Sequence, residues 1–114
     1  MRVVRIYPTD GLFSLCKVVS KEYGINLTAF IELSVMRLSV ALENDRSQTY
    51  HSLISWCECI SKDRKARHII VSRKDCKILK CVSRETDIPL WAIVDFALAK
   101  SCMDYFHSLA NNTN

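Results

Sequence analysis

Residues 17–29 (KVVSKEYGINLTA) recur 63 positions later as residues 80–92 (KCVSRETDIPLWA), with seven of the 13 positions identical. The similarity continues as conservative exchanges, because residues 30–35 (FIELSV) align with residues 93–98 (IVDFAL). A repeat at a fixed spacing indicates that one supersecondary unit occurs twice. We therefore interpret the chain as two copies of one unit.

The first copy is predicted to be a short strand followed by two helices. Residues 3–8 are rich in β-branched side chains, and Thr9 is a suitable N-cap for a first helix. Gly24 is typical of the residue that ends a helix, and Asn26 is typical of the N-cap of the next one, which we expect to run to about residue 43.

The second copy follows the same order. Residues 68–71 are predicted as a strand, Ser72 as an N-cap and residues 89–107 as the last helix, with Pro89 in its first turn. Between the copies, residues 44–48 are predicted as a polar turn, followed by a connecting helix of about 12 residues judged by its apolar spacing.

An isolated strand leaves its backbone groups unpaired, so each copy needs the strand of the other. The sequence therefore predicts a mostly α-helical protein with a two-stranded antiparallel β-ribbon. It predicts one domain that is a monomeric pseudo-dimer and can associate further on DNA. Its parts are a first unit (1–43), a connecting helix with a basic linker (44–65), a second unit (66–108) and a polar tail (109–114).

Composition narrows the class of protein. With 114 residues, 49% of them hydrophobic and 25% charged, the chain has the make-up of a globular domain, and two Gly and two Pro are too few for an all-β fold. No apolar run approaches the roughly 18 residues of a membrane span, so no membrane partner is expected. The N-terminus resembles no secretory signal, which predicts a cytoplasmic protein with reduced thiols.

Neither a metal site nor an active site is indicated. The six cysteines include no C-x-x-C pair, and the three histidines lie far from any Cys-rich turn, so we expect no metal and no cofactor. The chain has no glycine-rich phosphate loop and no G-x-S-x-G motif. Asp104 and His107 share helical spacing but have no nucleophile placed beside them. We therefore expect a binding protein and not an enzyme.

Positive charge is concentrated in one segment. Residues 61–84 contain nine basic and two acidic side chains, a net charge of +7, whereas the remainder carries −3 of the overall +4. A basic segment in a weakly charged protein is an electrostatic footprint for a polyanion. It predicts a nucleic-acid partner, although a solvated helix face is the simpler alternative.

The order of strand, polar N-cap, helix, glycine and asparagine-capped helix resembles the ribbon-helix-helix family of Arc, MetJ and CopG. The resemblance implies a ribbon-helix-helix pseudo-dimer with an extra connecting helix, whose ribbon enters the major groove of double-stranded DNA. It implies that alternate strand residues read bases: Val3, Arg5, Tyr7, Ala66, His68 and Ile70. A register slipped by one residue would present Arg2 and Arg67 instead.

The resemblance also implies phosphate binding where the second helix of each unit begins. Asn26 and Thr28 match that role in the first copy, whereas Pro89 and Trp91 replace them in the second. Five basic residues near the second copy are expected to substitute as phosphate-binding point charges: Lys62, Arg64, Lys65, Arg73 and Lys74.

Two functions remain open at this level. The first, which the resemblance implies, is a DNA-binding protein that acts as a transcriptional repressor or as an accessory factor in plasmid conjugation alongside other proteins of a DNA-processing complex. The second is a protein-interaction adaptor that has lost sequence-specific DNA binding. The apolar character of Val3, Ala66 and Ile70 favours this alternative.

Overall fold

The structure is a computed structural model. It describes the backbone of residues 2–6, 9–58 and 67–112, and the side chains of residues 9–58, 69 and 71–111. The elements in chain order are β1 (Arg2–Ile6), α1 (Asp10–Glu22), α2 (Leu27–Asn44), α3 (Arg46–Glu58), β2 (Arg67–Val71), α4 (Arg73–Thr86) and α5 (Leu90–Asn112).

The predicted fold class requires correction, because the described residues form a bundle of five helices that is not organised around a ribbon. Helices account for 87% of the residues whose side chains are described, and no complete β-strand lies among those residues. The physical reason is that α2 and α5 carry apolar residues around much of their circumference and pack on each other. Burial of these two helices dominates the core, whereas a five-residue strand buries little.

For most residues of the two strands, the structure describes the backbone but not the side chains. Arg2–Ile6 and Arg67–Val71 run antiparallel, with Arg5 opposite His68. Ile69 and Val71 are the strand residues with described side chains, and both are buried. They add to the helical core, and they provide no surface for contact with DNA.

Helix starts follow the repeat. Thr9 accepts a hydrogen bond from the amide of Leu12 at 3.1 Å, and Ser72, 63 residues later, accepts one from the amide of Asp75 at 3.1 Å. Each hydroxyl satisfies an amide that the first turn of a helix leaves unpaired. The two side chains therefore set the starts of α1 and α4, as the sequence predicts.

The turns between paired helices keep one geometry with different residues. Gly24 has φ 71°, and Asp87 at the corresponding position has φ 58°. Aspartate tolerates this left-handed region better than most side chains, so the second copy forms the turn without glycine. Consequently α2 and α5 begin at corresponding residues, Leu27 and Leu90.

The connection between the copies differs from the prediction. Asp45 accepts hydrogen bonds from the amide of Gln48 through its side chain and from that of Thr49 through its carbonyl. It thus acts as an N-cap, and α3 begins at Arg46, within the predicted polar turn. The last helix continues to Asn112, into the predicted polar tail.

The core is built from corresponding positions of the two copies. Phe30 of α2 and Ile93 of α5 are both fully buried, as are Val19 of α1 and Val82 of α4. From α3, Leu53 is fully buried and Trp56 packs edge-on against Phe96, with ring centroids 5.8 Å apart. The repeat therefore appears in the packing as well as in the sequence.

Among the described residues, no single helix is long and apolar enough to cross a membrane. Of the described helices, α1 and α2 reach the length and apolar composition of a membrane span only when they are counted together. Their axes are bent by 97° with respect to each other.

Candidate nucleic-acid interface

Helix α4 presents a basic stripe to solvent. The stripe consists of Arg73, Lys77, Lys80 and Arg84, which are all exposed and recur at the spacing of one helix face. The opposite face buries Cys76, Leu79 and Val82. At 1.5 Å per residue the stripe is about 16 Å long, which corresponds to nearly five base steps of duplex DNA.

Glu85 is the exposed acidic residue of α4, and its charge is compensated by α3. Its carboxylate forms an ion pair with Arg46 at 3.2 Å and accepts hydrogen bonds from the hydroxyl of Tyr50 and, at 3.4 Å, from the thiol of Cys81. The guanidinium of Arg46 also donates to the Tyr50 hydroxyl at 2.7 Å. This cluster joins α3 to α4 and keeps the carboxylate of Glu85 engaged beside the stripe.

The hydrogen bond from Tyr50 is the main reason that the pKa of Glu85 lies below its ordinary value, followed by the bond from Cys81; the charge of Arg46 adds to the effect. Because the folded state favours the ionised form, the resulting stability is present above the unfolded-state pKa. It is lost as the pH falls through the lowered folded-state pKa.

We expect Tyr50→Phe to raise the pKa of Glu85 toward its ordinary value, because the substitution removes the main hydrogen bond to the carboxylate. Carboxyl chemical shifts followed through a pH titration by NMR measure this change. Ser52→Ala is the control on the same helix, since Ser52 bonds Gln48 at 3.4 Å and not Glu85. An unchanged Glu85 pKa in the Tyr50 variant would contradict the assigned cause.

A groove of about 380 Å³ lies beside the stripe, between α4 and the end of α2 with the start of α3. Lys74 and Lys77 line one wall, and Ser39, Glu43 and Arg46 line the other. The lysines of α4 therefore face Glu43 and Arg46 across the groove.

The corresponding helix of the first copy, α1, carries fewer basic residues on this face. Positions 10, 14, 17 and 21 of α1 correspond to the four stripe positions, and only Lys17 and Lys21 are basic there. Lys17 also lies over the ring of Phe13, 4.7 Å from its centroid. The bundle is thus nearly symmetric in its helices but asymmetric in its electrostatics, with the positive surface on the second copy.

Four of the predicted phosphate-binding residues are described, and they lie in two places. Arg73 and Lys74 lie exposed in the first turn of α4, where the helix dipole also attracts anions. Asn26 and Thr28 are exposed at the start of α2, and Asn26 Oδ1 accepts the Ala29 amide at 2.8 Å, so its side chain caps its own helix. The structure therefore does not bring Asn26 into the groove formed by α4.

The other predicted contacts lie outside the described part of the chain. Lys62, Arg64, Lys65, Tyr7 and Ala66 are not described at all. For the other base-reading positions only the backbone is described: Val3, Arg5, His68 and Ile70, with Arg2 and Arg67 of the slipped register.

Three residues of the basic surface were missed as site residues by the sequence analysis. Lys77, Lys80 and Arg84 were counted as charge, yet their helical spacing with Arg73 already indicates a common face. Arg46 gives no such signal, because it comes to the groove only through the packing of α3 on α2.

The end of α5 carries a second exposed feature, which is apolar. Met103, Phe106, His107 and Ala110 line a shallow hollow of about 310 Å³. Met103 is 57% exposed and Phe106 is 44% exposed. An exposed apolar stripe at helical spacing is a surface that protein partners use.

Within the part of the chain that the structure describes, no group of three or more His, Cys, Asp or Glu side chains could hold a metal ion. Comparison with known proteins gives no further assignment: no family model, no curated protein and no solved structure matches this chain.

Proposed function

We propose that this protein binds double-stranded DNA through the basic surface of α4. The observation that carries the proposal is the exposed stripe of Arg73, Lys77, Lys80 and Arg84, continued by Lys74 into the neighbouring groove. Four cations aligned over about 16 Å of one helix face can neutralise several phosphates of a duplex, and neutralising phosphates releases counterions. Binding of duplex DNA through the stripe requires no contact with the bases.

The asymmetry of the surface supports contact from one side of the molecule. Because α1 has two basic residues where α4 has four, the two copies are not equivalent toward a duplex. A palindromic site read equally by both copies is therefore not expected. Phosphate contacts position a protein, whereas base contacts specify the sequence.

We expect binding to a labelled random-sequence duplex to weaken steeply with salt. If Lys74 joins the four residues of the stripe, five cations contact phosphates, and the plot of log affinity against log salt should have a slope of about −4.5. Fluorescence anisotropy between about 50 and 300 mM salt measures this slope over the range in which such contacts are lost.

A flexible poly-glutamate chain is the control for this salt series, because it has negative charge without the geometry of a duplex. Failure to bind the duplex at the lowest salt concentration would overturn the proposal. Equal retention of poly-glutamate would also overturn it, because any polyanion would then suffice.

We further propose that the protein acts in the cytoplasm, where the cysteines free in the described part would stay reduced. DNA binding there would serve transcriptional repression or accessory action in DNA transfer. Selection of bound duplexes from a random pool tests whether the binding is directed to a site: a recovered motif supports a site-directed role, whereas recovery without a motif excludes it.

The second candidate function is a protein-interaction adaptor. The exposed hollow formed by Met103, Phe106, His107 and Ala110 favours it, because this surface is apolar and lies at the end of α5. The salt series distinguishes the two functions. No affinity for duplex DNA at low salt would favour the adaptor.

A further inference from the structure

Two cysteines from opposite ends of the chain meet in the core. The sulfur atoms of Cys16 in α1 and Cys102 in α5 lie 3.9 Å apart, although the residues are 86 positions apart in sequence. Each residue is 1% exposed. Cys76 is also buried and Cys81 is exposed, and Cys81 bonds Glu85 on the surface.

We propose that Cys16 and Cys102 form a redox-active dithiol, which a peroxide oxidises to an intramolecular disulfide that locks the first helix to the last. The sulfurs must approach each other by about 2 Å to reach bonding distance, a movement of the order that side-chain rotation provides. The helices α1 and α5 already pack on each other. The cross-link therefore requires no change of fold.

The contact couples the two thiols. The hydrogen bond between them, together with burial and the charge of Asp95, raises the pKa of Cys16, whereas the same bond lowers the pKa of Cys102. Either sulfur can be the donor in this contact. Because the thiolate is the nucleophile, the thiol that ionises attacks the oxidant and the other one resolves.

The reaction balances with hydrogen peroxide as the oxidant. One of the two thiols ionises, its thiolate attacks a peroxide oxygen and the O–O bond breaks. The products are a sulfenic acid and a hydroxide, which becomes water with the proton that the thiol released on ionising. The other thiol then attacks the sulfenic sulfur and forms the S–S bond. The S–O bond breaks, and the leaving hydroxide departs as water with the proton of this second thiol. Two thiols lose two electrons and two protons, and peroxide becomes two waters.

Burial of Cys16 and Cys102 determines how fast the pair is oxidised. A small oxidant reaches the pair only when α1 or α5 opens locally, so oxidation should be slower than modification of exposed Cys81. Once formed, the disulfide closes a loop of most of the chain, which restricts the unfolded state strongly. The basic stripe lies on α4, so DNA binding should not change.

The test uses the purified full chain, reduced and then treated with hydrogen peroxide. We expect non-reducing peptide mapping to recover the Cys16–Cys102 cross-link, and the melting temperature to rise by about 10 °C or more. Dithiothreitol should reverse both changes. The Cys81→Ser variant keeps the pair and removes the exposed thiol, so it should behave in the same way.

Cys102→Ser should lose the cross-link and the thermal shift, whereas Cys76→Ser, which removes a buried thiol elsewhere, should keep both. The peptide map of the unmodified chain remains decisive if a variant fails to fold. Recovery of both thiols unoxidised, or of cross-links chiefly between other cysteines or between chains, would overturn the proposal.

Discussion

Replacing Lys77 and Lys80 together by alanine is expected to weaken binding to duplex DNA by about 50-fold at 0.1 M salt. Each phosphate contact that is lost lowers the number of counterions released on binding by nearly one. Both side chains are exposed on the outer face of α4, and neither ammonium group takes part in an ion pair that the structure gives. The salt slope should fall by about 2. Anisotropy titrations at several salt concentrations measure both quantities.

The chain offers a matched control for this variant. Lys17 occupies the position in α1 that corresponds to Lys80, and Lys21 corresponds to Arg84. Alanine at both Lys17 and Lys21 removes the same net charge from the same type of helix. We expect this control to lose less than about five-fold, since it changes only the long-range field and no contact.

Equal losses from the two double variants would contradict a contact surface on α4. They would show that overall charge alone attracts the duplex. Circular dichroism of both variants checks that the helices are retained, because exposed helix positions tolerate alanine well.

The sequence predicted the helices well because their signals are local. Thr9, Ser72 and Asn26 cap their helices as expected, and the first-turn hydrogen bonds depend only on residues three positions apart. The repeat spacing transferred the assignment from one copy to the other. Asp45 was overlooked as a cap because it lies in a run of polar residues, where a turn is the simpler interpretation.

The fold class and the site were predicted less well because they depend on tertiary packing. Strand pairing received the central role because an isolated strand needs a partner, whereas buried side chains such as Phe30, Leu38 and Ile93 place the core between helices. Basic residues on α4 were visible as charge. That they face Arg46 across the groove depends on how α3 packs on α2, which no local sequence pattern predicts.

The largest effect on stability is expected from Phe30→Ala in α2. Phe30 is fully buried, and its ring lies 6.3 Å from that of Tyr23 at the corner between α1 and α2. Truncation removes apolar burial and leaves a cavity among helices that cannot fully collapse, which costs about 3 to 5 kcal/mol. Natural domains have a free energy of unfolding of about 5 to 15 kcal/mol, so the variant should lose a large part of it.

Urea unfolding followed by circular dichroism measures this loss, and Met36→Ala is its control on the same helix. Met36 is 53% exposed, so its truncation should change the free energy of unfolding by no more than about 0.5 kcal/mol. Similar costs for the two variants would place Phe30 outside the core. A large cost for Phe30 with a small one for Met36 would establish that α2 is held by its inner face, the face that corresponds to Ile93 in α5.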